Sequence, residues 1–342
     1  MISGDFCWIY SFERFRDSMN FSDIVGQSVL VDRLKRIMQN QLIGHAYLFV
    51  GPEGIGKKTV SNIFARGLLC KSQGNRPCDL CRSCKQFNTG NHPDIYRVTR
   101  GSRLSIGVEQ IRKMLEDTQL KPYESGRKIY IIEDAHTMTV QAQNALLKTL
   151  EEPPGFTTIM LLGDRSQGLL PTVLSRCQVF RMQKLTKKEV CSILVSNLDL
   201  SEEKAMLFAS LSDGIPGRGL QLAGSKEFND MREEVFKFLS EFSRLDDMGK
   251  MQYKDLFTKY RDNIDVVMDI MVLWFRDILV YKEVHNNHLI INLDKLALLK
   301  GQASIFTVKR VRSIIEKIEQ SRRMLKGNAN YQMTIENLLL AL

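Results

Sequence analysis

The sequence has no apolar run near the ~18 residues that a membrane-spanning helix needs, which argues against an integral membrane protein. Residues 1–18 also lack the basic start and long apolar core of a secretory signal. We therefore expect a cytoplasmic protein with no membrane partner. We expect residues 1–18 to be an N-terminal extension outside the fold, since a more regular pattern begins at Met19.

Cysteine is too sparse for a disulfide scaffold, because only seven occur in 342 residues, yet four of them lie within fifteen positions. Those four are Cys70, Cys78, Cys81 and Cys84. Two overlapping Cys-x2-Cys pairs with one thiol upstream predict a structural Zn²⁺ site, and four thiolates leave no open catalytic position. The alternative is four free thiols in a flexible loop. His92 is a spare ligand candidate, but its His-Pro-Asp context favours a turn.

No concentrated basic stripe is visible, although Lys and Arg outnumber Asp and Glu by 48 to 39 and give a net charge of +9. This excess permits an acidic partner such as nucleic acid without requiring one. A polymerase-type constellation of carboxylates is also missing, so we expect no polymerase activity in this chain. The length predicts two or three domains.

A glycine-rich turn is the strongest pattern that is present. It follows the apolar run 45–50 and precedes the helix-like run 60–69, which is the context of a phosphate-binding loop. Its candidate nucleotide-binding residues are Gly51, Gly54, Gly56, Lys57, Lys58 and Thr59. The hydroxyl that normally follows the lysine and binds Mg²⁺ is replaced by Lys58, and Thr59 comes one position late.

An acidic pair, Glu133 and Asp134, follows the apolar run 129–132, which is typical of a buried parallel strand. Acids at this position hold Mg²⁺ in phosphate-loop enzymes, although the usual order is Asp then Glu; a solvated acidic turn is the alternative. Further strands are predicted at 95–98 and 157–162, and helices at 27–40, 108–120 and 141–152. The pattern predicts an α/β core with a parallel sheet flanked by helices.

Helical spacing dominates after Lys226, with apolar stripes at 266–280, 308–325 and 335–342. These stripes indicate a helix-bundle core, and burial against other subunits is the alternative. Before this region, Ser175-Arg176-Cys177 lies between apolar residues. By itself, Arg176 is equally compatible with a surface arginine that has no special role.

Together these patterns resemble the bacterial AAA+ clamp-loader subunits, and among them the delta-prime family of DNA polymerase III. The resemblance covers roughly residues 20–342 and depends on five features. These are the loop 51–59, the four cysteines, the run from Ala142 to Pro154, Ser175-Arg176-Cys177 and the tail 328–342. The run at 142–154 and the Ser-Arg-Cys triplet are specific to clamp loaders, whereas the phosphate loop alone is not.

The resemblance implies three domains: an AAA+ nucleotide-binding-like core at 19–182 with the zinc insertion at 70–84, a small helical lid at 183–225 and a helical collar at 226–342. It implies a hetero-pentamer with gamma or tau ATPase subunits and a delta subunit, which loads a sliding clamp on primed DNA. It also implies that Arg176 acts as an arginine finger in the ATP site of a neighbouring subunit.

Four departures from the ATP-hydrolysing pattern accompany the resemblance. They are Lys58, the inverted pair Glu133–Asp134, Gly163 where a polar sensing residue is expected, and Gly217 where a lid arginine is expected, with Arg218 one position off. We therefore predict a stator with weak or no ATPase activity and doubtful ATP/Mg²⁺ binding. The alternatives are an ATP-hydrolysing gamma/tau-like motor and a stand-alone zinc-dependent DNA-binding module. The second leaves Ser175-Arg176-Cys177 and the tail unexplained.

Overall fold

The computed structural model describes residues 19–72, 74–284 and 289–342, so the predicted extension at 1–18 lies outside the described residues. The chain divides into two compact units. The described residues through Glu189 form the first unit together with Ile215–Gly217, and the second contains Val190–Gly214 and Arg218–Leu342. The finer division into lid and collar at residue 226 stays a prediction.

The first unit is built on a five-stranded parallel sheet with the strand order β2-β3-β4-β1-β5. Its strands are β1 (Ala46–Val50), β2 (Ile95–Val98), β3 (Lys128–Ile132), β4 (Thr157–Gly163) and β5 (Gln178–Arg181). The four strands predicted from the sequence, β1 to β4, are confirmed to within one residue at each end, and β5 was not predicted. β1 pairs in parallel with β4 on one side and β5 on the other. The segment that follows β1 therefore begins beside the carboxyl end of β4.

Successive residues of each strand enter opposite cores, as the two-residue period of a β-strand requires. In β1, Tyr47 and Phe49 pack on one face of the sheet, whereas Leu48 and Val50 pack on the other. The first face is covered by α1 (Ser28–Gln39) and α2 (Lys57–Leu69). The predicted α/β core of parallel strands between two helical layers is therefore confirmed.

The opposite face is covered by α4 (Val108–Thr118), α5 (Val140–Glu151) and the short α6 (Pro171–Leu174). The remaining helix of this unit, α3 (Arg82–Asn88), lies within the cysteine-containing insertion. The boundary between the two units falls inside α7 (Lys187–Leu198) and again inside α9 (Pro216–Gly224).

The second unit is helical, and its described residues contain no strand after Lys226, as the sequence predicts. Its helices after the start of α7 are α8 (Glu202–Leu211), α9, α10 (Lys226–Glu241), α11 (Asp247–Met251), α12 (Lys254–Lys259), α13 (Ile264–Glu283), α14 (Leu296–Ile305), α15 (Val308–Lys326) and α16 (Tyr331–Ala341). None of the helices in the described part of the chain has the length and apolar character that crossing a bilayer requires.

The centre of this bundle is α13, which packs against α10, α14 and α15. Trp274 is completely buried on α13, and its indole N–H donates to Gln302 Oε1 at 2.8 Å. Asp277, one turn later, is also completely buried and accepts from the backbone amide of Asn292 at 2.8 Å. Both polar groups are therefore satisfied inside the apolar core, which fixes the register of α13 against α14 and the segment that precedes it.

Candidate functional site

The phosphate-binding-type loop joins β1 to α2 and depends on two glycines in the left-handed region. Gly54 has φ +80° and Gly56 has φ +104°, conformations that side chains with a Cβ rarely adopt. Gly56 caps α2, which therefore begins at Lys57 rather than at the predicted Val60. Lys58 and Thr59 consequently lie in the first helical turn, and the Gly51 amide donates to Gly163 O on β4 at 3.2 Å.

The loop lysine is fully engaged by its own chain. Lys57 Nζ donates to the carbonyl oxygens of Gly51 and Pro52 at 2.7 and 3.0 Å, and it forms an ion pair with Asp164 Oδ1 at 2.6 Å. Only 10% of its side chain is exposed. The ammonium that would contact nucleotide phosphates in an active loop is thus neutralised by a carboxylate of the same subunit.

Sequence reasoning missed Asp164. It directly follows Gly163 at the carboxyl end of β4, and the parallel pairing of β4 with β1 brings it beside the loop. The ring of His136 lies on its other side, with Nε2 3.8 Å from Asp164 Oδ2. The only sequence signal for Asp164 was its place next to a strand end, which becomes informative once the strand order is known.

Lys58, which replaces the metal-binding hydroxyl, pairs with the first residue of the acidic pair. Its Nζ lies 2.5 Å from Glu133 Oε2, and 12% of the Glu133 side chain is exposed. The ammonium group of Lys58 therefore lies beside the carboxylate that would hold Mg²⁺ in an active site. The structure brings these two predicted residues together, but as an ion pair.

Asp134 has a different environment from Glu133. It adopts the left-handed conformation at φ +50°, begins a short 3-10 helix at Ala135–Thr137, and lies 3.3 Å from Arg100 Nε. The two acids of the pair therefore have separate cationic partners, Lys58 for Glu133 and Arg100 for Asp134.

Gly217, at the position where a lid arginine was expected, contacts the phosphate loop through its backbone. Its amide donates to Gly54 O at 2.9 Å. A Cβ built on Gly217 would lie 2.7 Å from Gly54 Cα and 2.8 Å from Gly54 O. Both residues belong to the first unit, so only glycine allows the segment 215–217 to approach the loop this closely.

Replacing Gly217 with alanine is expected to displace the segment 215–217 from the loop, because the methyl group would overlap the Gly54 backbone. Amide hydrogen exchange should then rise at Gly54–Lys57 while exchange in β1 stays unchanged. The matched control is Gly219→Ala, whose Cβ would make ordinary contacts at 3.4 Å. Unchanged exchange at the loop in Gly217→Ala would contradict this close packing.

Arg218, the next residue, pairs within the second unit. Its Nη2 lies 3.0 Å from Asp269 Oδ2 on α13, and Arg322 on α15 binds the other oxygen of the same carboxylate at 2.7 Å. Burial raises the pKa of Asp269, and the two guanidinium groups oppose that effect. The arginine near the expected lid position therefore joins three helices of the bundle, α9, α13 and α15.

Arg176 lies between α6 and the edge strand β5, with 34% of its side chain exposed. Its Nη1 donates to Thr172 O at 2.9 Å, and its Nη2 pairs with Glu151 Oε1 at 2.7 Å. Since a guanidinium has five donors, the group keeps N–H bonds that can contact an external anion.

The four predicted metal ligands converge in space. The sulfur atoms of Cys70, Cys78, Cys81 and Cys84 all lie within 4.8 Å of one another. Tetrahedral Zn–S bonds of ~2.3 Å place sulfurs about 3.8 Å apart, so this set needs only a small contraction to bind zinc. Burial tends to raise the pKa of Cys78, but backbone hydrogen bonds from Cys81 and Leu80 and contacts with Cys70 and Cys81 lower it to about 6.

His92 is not part of the thiol cluster and instead joins it to the rest of the unit. Its Nε2 lies 2.9 Å from Ser83 Oγ, and its Nδ1 accepts from the Asp94 amide at 3.1 Å. The Asp94 carboxylate accepts the amides of Tyr123, Glu124 and Ser125 at 2.5 to 2.9 Å. The insertion is thus fixed to the segment before β3, which fits a structural centre better than a catalytic one.

Two family models match the chain. The model described as DNA polymerase III, delta subunit, matches residues 26–186, and the model for the C-terminal part of the same subunit matches residues 230–342. The matched ranges include the whole parallel sheet and the helices from α11 onward.

Curated relatives agree with these models. The chain is 31% identical to DNA polymerase III subunit delta' of Bacillus subtilis over 92% of this chain and 96% of that protein. It is 32% identical to the delta' subunit of Haemophilus influenzae over 50% of this chain and 53% of the relative. Similarity to the tau subunit of Bacillus subtilis is 27% over 77% of this chain and 50% of that protein.

Among solved structures, a DNA polymerase III gamma-subunit-related protein of Thermotoga maritima aligns over 90% of this chain and 97% of its own, with 18% identity. The TM-score of this alignment is 0.39. The two family models and the similarity across nearly the full length of the Bacillus subtilis delta' subunit agree in placing the chain among the DNA polymerase III subunits. This chain belongs to the delta-prime family of bacterial DNA polymerase III clamp-loader subunits.

Proposed function

We propose that this chain is a largely non-hydrolysing, delta-prime-type stator of a bacterial clamp loader. The observation that carries the proposal is the 2.5 Å ion pair between Lys58 and Glu133. Phosphoryl transfer in phosphate-loop enzymes requires Mg²⁺ held by a loop hydroxyl and by an acid at the end of another strand. Here the hydroxyl is missing, and the acid is already neutralised by the residue that replaced it.

The surroundings of the loop support the same proposal. Lys57 is paired with Asp164, and the backbone of Gly217 covers Gly54. Binding of a nucleotide would have to break the Lys57–Asp164 pair and supply Mg²⁺ against the charge of Lys58. A loop whose charges are satisfied without ligand suits a subunit that keeps one conformation while its neighbours cycle through ATP states.

We further propose that the contribution of this chain to ATP chemistry is Arg176, supplied in trans to an adjacent gamma or tau subunit. The partly exposed guanidinium next to an edge strand supports this role. An arginine in this role stabilises negative charge on the transferred phosphoryl group and needs no nucleotide in its own subunit.

The proposed assembly is a hetero-pentamer with gamma or tau and delta subunits, which acts on a sliding clamp and primed DNA. In this scheme the sheet-containing core at 19–182 carries the finger, the helices at 183–225 form a lid, and the bundle at 226–342 forms the oligomerising collar. The four-thiol centre at 70–84 would hold a structural Zn²⁺. The four cysteines lie between the end of α2 and β2.

Similarity to a tau subunit favours a second candidate function, that of an ATP-hydrolysing motor. That candidate needs Lys58 to leave Glu133 and a metal to take its place. It also needs a lid arginine at the loop, whereas Gly217 provides only a backbone contact and Arg218 pairs with Asp269. The stator proposal requires none of these rearrangements.

The purified chain is expected to show no ATP turnover above background, and Lys58→Thr alone is expected to restore none. Restoring the hydroxyl leaves the Lys57–Asp164 pair and Gly217 unchanged. The measurement is steady-state ATP hydrolysis by the isolated chain and by the reconstituted loader with clamp and primed DNA. Strong turnover by the isolated wild-type chain would rule out the stator role in favour of the motor.

A further inference from the structure

The guanidinium of Arg176 has a specific carboxylate partner that no role yet explains. Glu151 Oε1 lies 2.7 Å from Arg176 Nη2, within the range of a charge-assisted hydrogen bond. Nη1 of the same group donates to Thr172 O at 2.9 Å and also lies 3.3 Å from Ser175 Oγ. Three contacts thus restrict an arginine whose free side chain has many rotamers.

Glu151 is well placed to restrict it because its backbone is fixed. It is the last residue of α5, and its neighbour Leu150 is 1% exposed in the core beneath the sheet. Pro153 and Pro154 follow, so the helix cannot continue past this point. The carboxylate is therefore held on a rigid element, whereas the arginine that it contacts lies on a connection between α6 and β5.

We infer that Glu151 is a positioning residue for Arg176 and holds the guanidinium in the orientation that a neighbouring nucleotide requires. This inference rests on the proposed trans role of Arg176. A side chain held in advance loses less conformational freedom when the phosphate arrives, and small misplacements of a catalytic group are costly. The contact uses one Nη2 hydrogen and leaves the second Nη2 hydrogen and Nε–H for the phosphate.

Glu151 also has an electrostatic effect on Arg176, which opposes the binding of a phosphate. A carboxylate beside the guanidinium also repels an incoming phosphate, so it would restrain the finger if charge mattered more than orientation. Both groups are partly solvated, with 34% of Arg176 and 51% of Glu151 exposed, and solvent screens the repulsion. Hydrogen bonding depends on direction and survives this screening, so positioning is the stronger effect.

The test is a double-mutant cycle in the reconstituted loader, with ATPase kcat and KM measured in the presence of clamp and primed DNA. Glu151→Ala is expected to lower kcat about two- to fivefold with KM unchanged, from the usual strength of such pairs. Glu151→Gln, which keeps an acceptor oxygen, should retain most of the activity. In the Arg176→Ala background, Glu151→Ala should change nothing further.

Glu152→Ala is the matched control, because Glu152 is the exposed acid next in the chain. It should leave kcat unchanged, and gel filtration should show that every variant assembles. If Arg176→Ala impairs the loader but Glu151→Ala does not, the positioning role is wrong and the finger survives. A rise in kcat in Glu151→Gln, or an additive loss in the double variant, also overturns it. If Arg176→Ala itself has no effect, the finger proposal and this inference fail together.

Discussion

Replacing Arg176 with alanine is expected to cut ATP turnover of the reconstituted loader, with a loss of about 10³-fold or more at the site that receives the finger. Turnover at other sites of the assembly sets the residual activity. The reason is that alanine removes the cationic donor from the developing phosphate charge while changing only a partly exposed position. The measurement is clamp- and DNA-stimulated ATPase at saturating ATP, together with clamp loading.

Two controls separate this effect from a structural one. Arg181→Ala removes an exposed arginine from the edge strand β5, which follows Arg176, and should leave turnover unchanged. Arg176→Lys keeps the charge but loses the planar fork, so intermediate activity is expected. Wild-type ATPase in a fully assembled Arg176→Ala loader would contradict the trans role, whereas failure to assemble would be detected by gel filtration.

Replacing Cys84 with serine is expected to abolish zinc binding and to destabilise the first unit by more than about 4 kcal/mol, as loss of a structural metal typically does. Cys84 is completely buried, so the serine leaves a hydroxyl in the core as well as an incomplete ligand set. For a unit of this size the unfolding midpoint should fall by about 10 °C. Metal analysis should find about one Zn²⁺ per wild-type chain from the four-ligand geometry.

The matched control is Cys191→Ser, since Cys191 is another buried cysteine that lies outside the cluster. It should keep a full complement of zinc. Chelation of the wild-type chain should also lower its melting temperature, because it removes the same metal. A never-chelated wild-type preparation without metal, or an unchanged zinc content in Cys84→Ser, would show that the thiols have no structural metal role.

Much of the fold followed from local patterns. The apolar runs at 45–50, 129–132 and 157–162 predicted strands, and strands covered on both faces occur there at 46–50, 128–132 and 157–163. The helix ends were less accurate: α2 begins three residues before the predicted Val60 because Gly56 caps it in a left-handed conformation. Side-chain periodicity alone cannot reveal such a cap.

The thiol centre was also within reach of the sequence, because the spacing of Cys78, Cys81 and Cys84 is local and a short chain segment has few ways to arrange them. The contacts that attach this centre to the rest of the first unit could not be predicted from the sequence. The contacts from Ser83 through His92 and Asp94 to residues 123–125 join segments up to 31 residues apart. Only the folded chain determines these partners.

The sequence by itself determined that Lys58 stands where a phosphate-binding loop normally has a metal-binding hydroxyl. The tertiary structure determined which carboxylates pair with Lys57 and Lys58. The parallel strand order brings Asp164 to Lys57 across 107 positions, and it brings Glu133 to Lys58 across 75. Pairing of charges depends on distances of a few ångströms, and the strand order sets those distances for residues far apart in sequence.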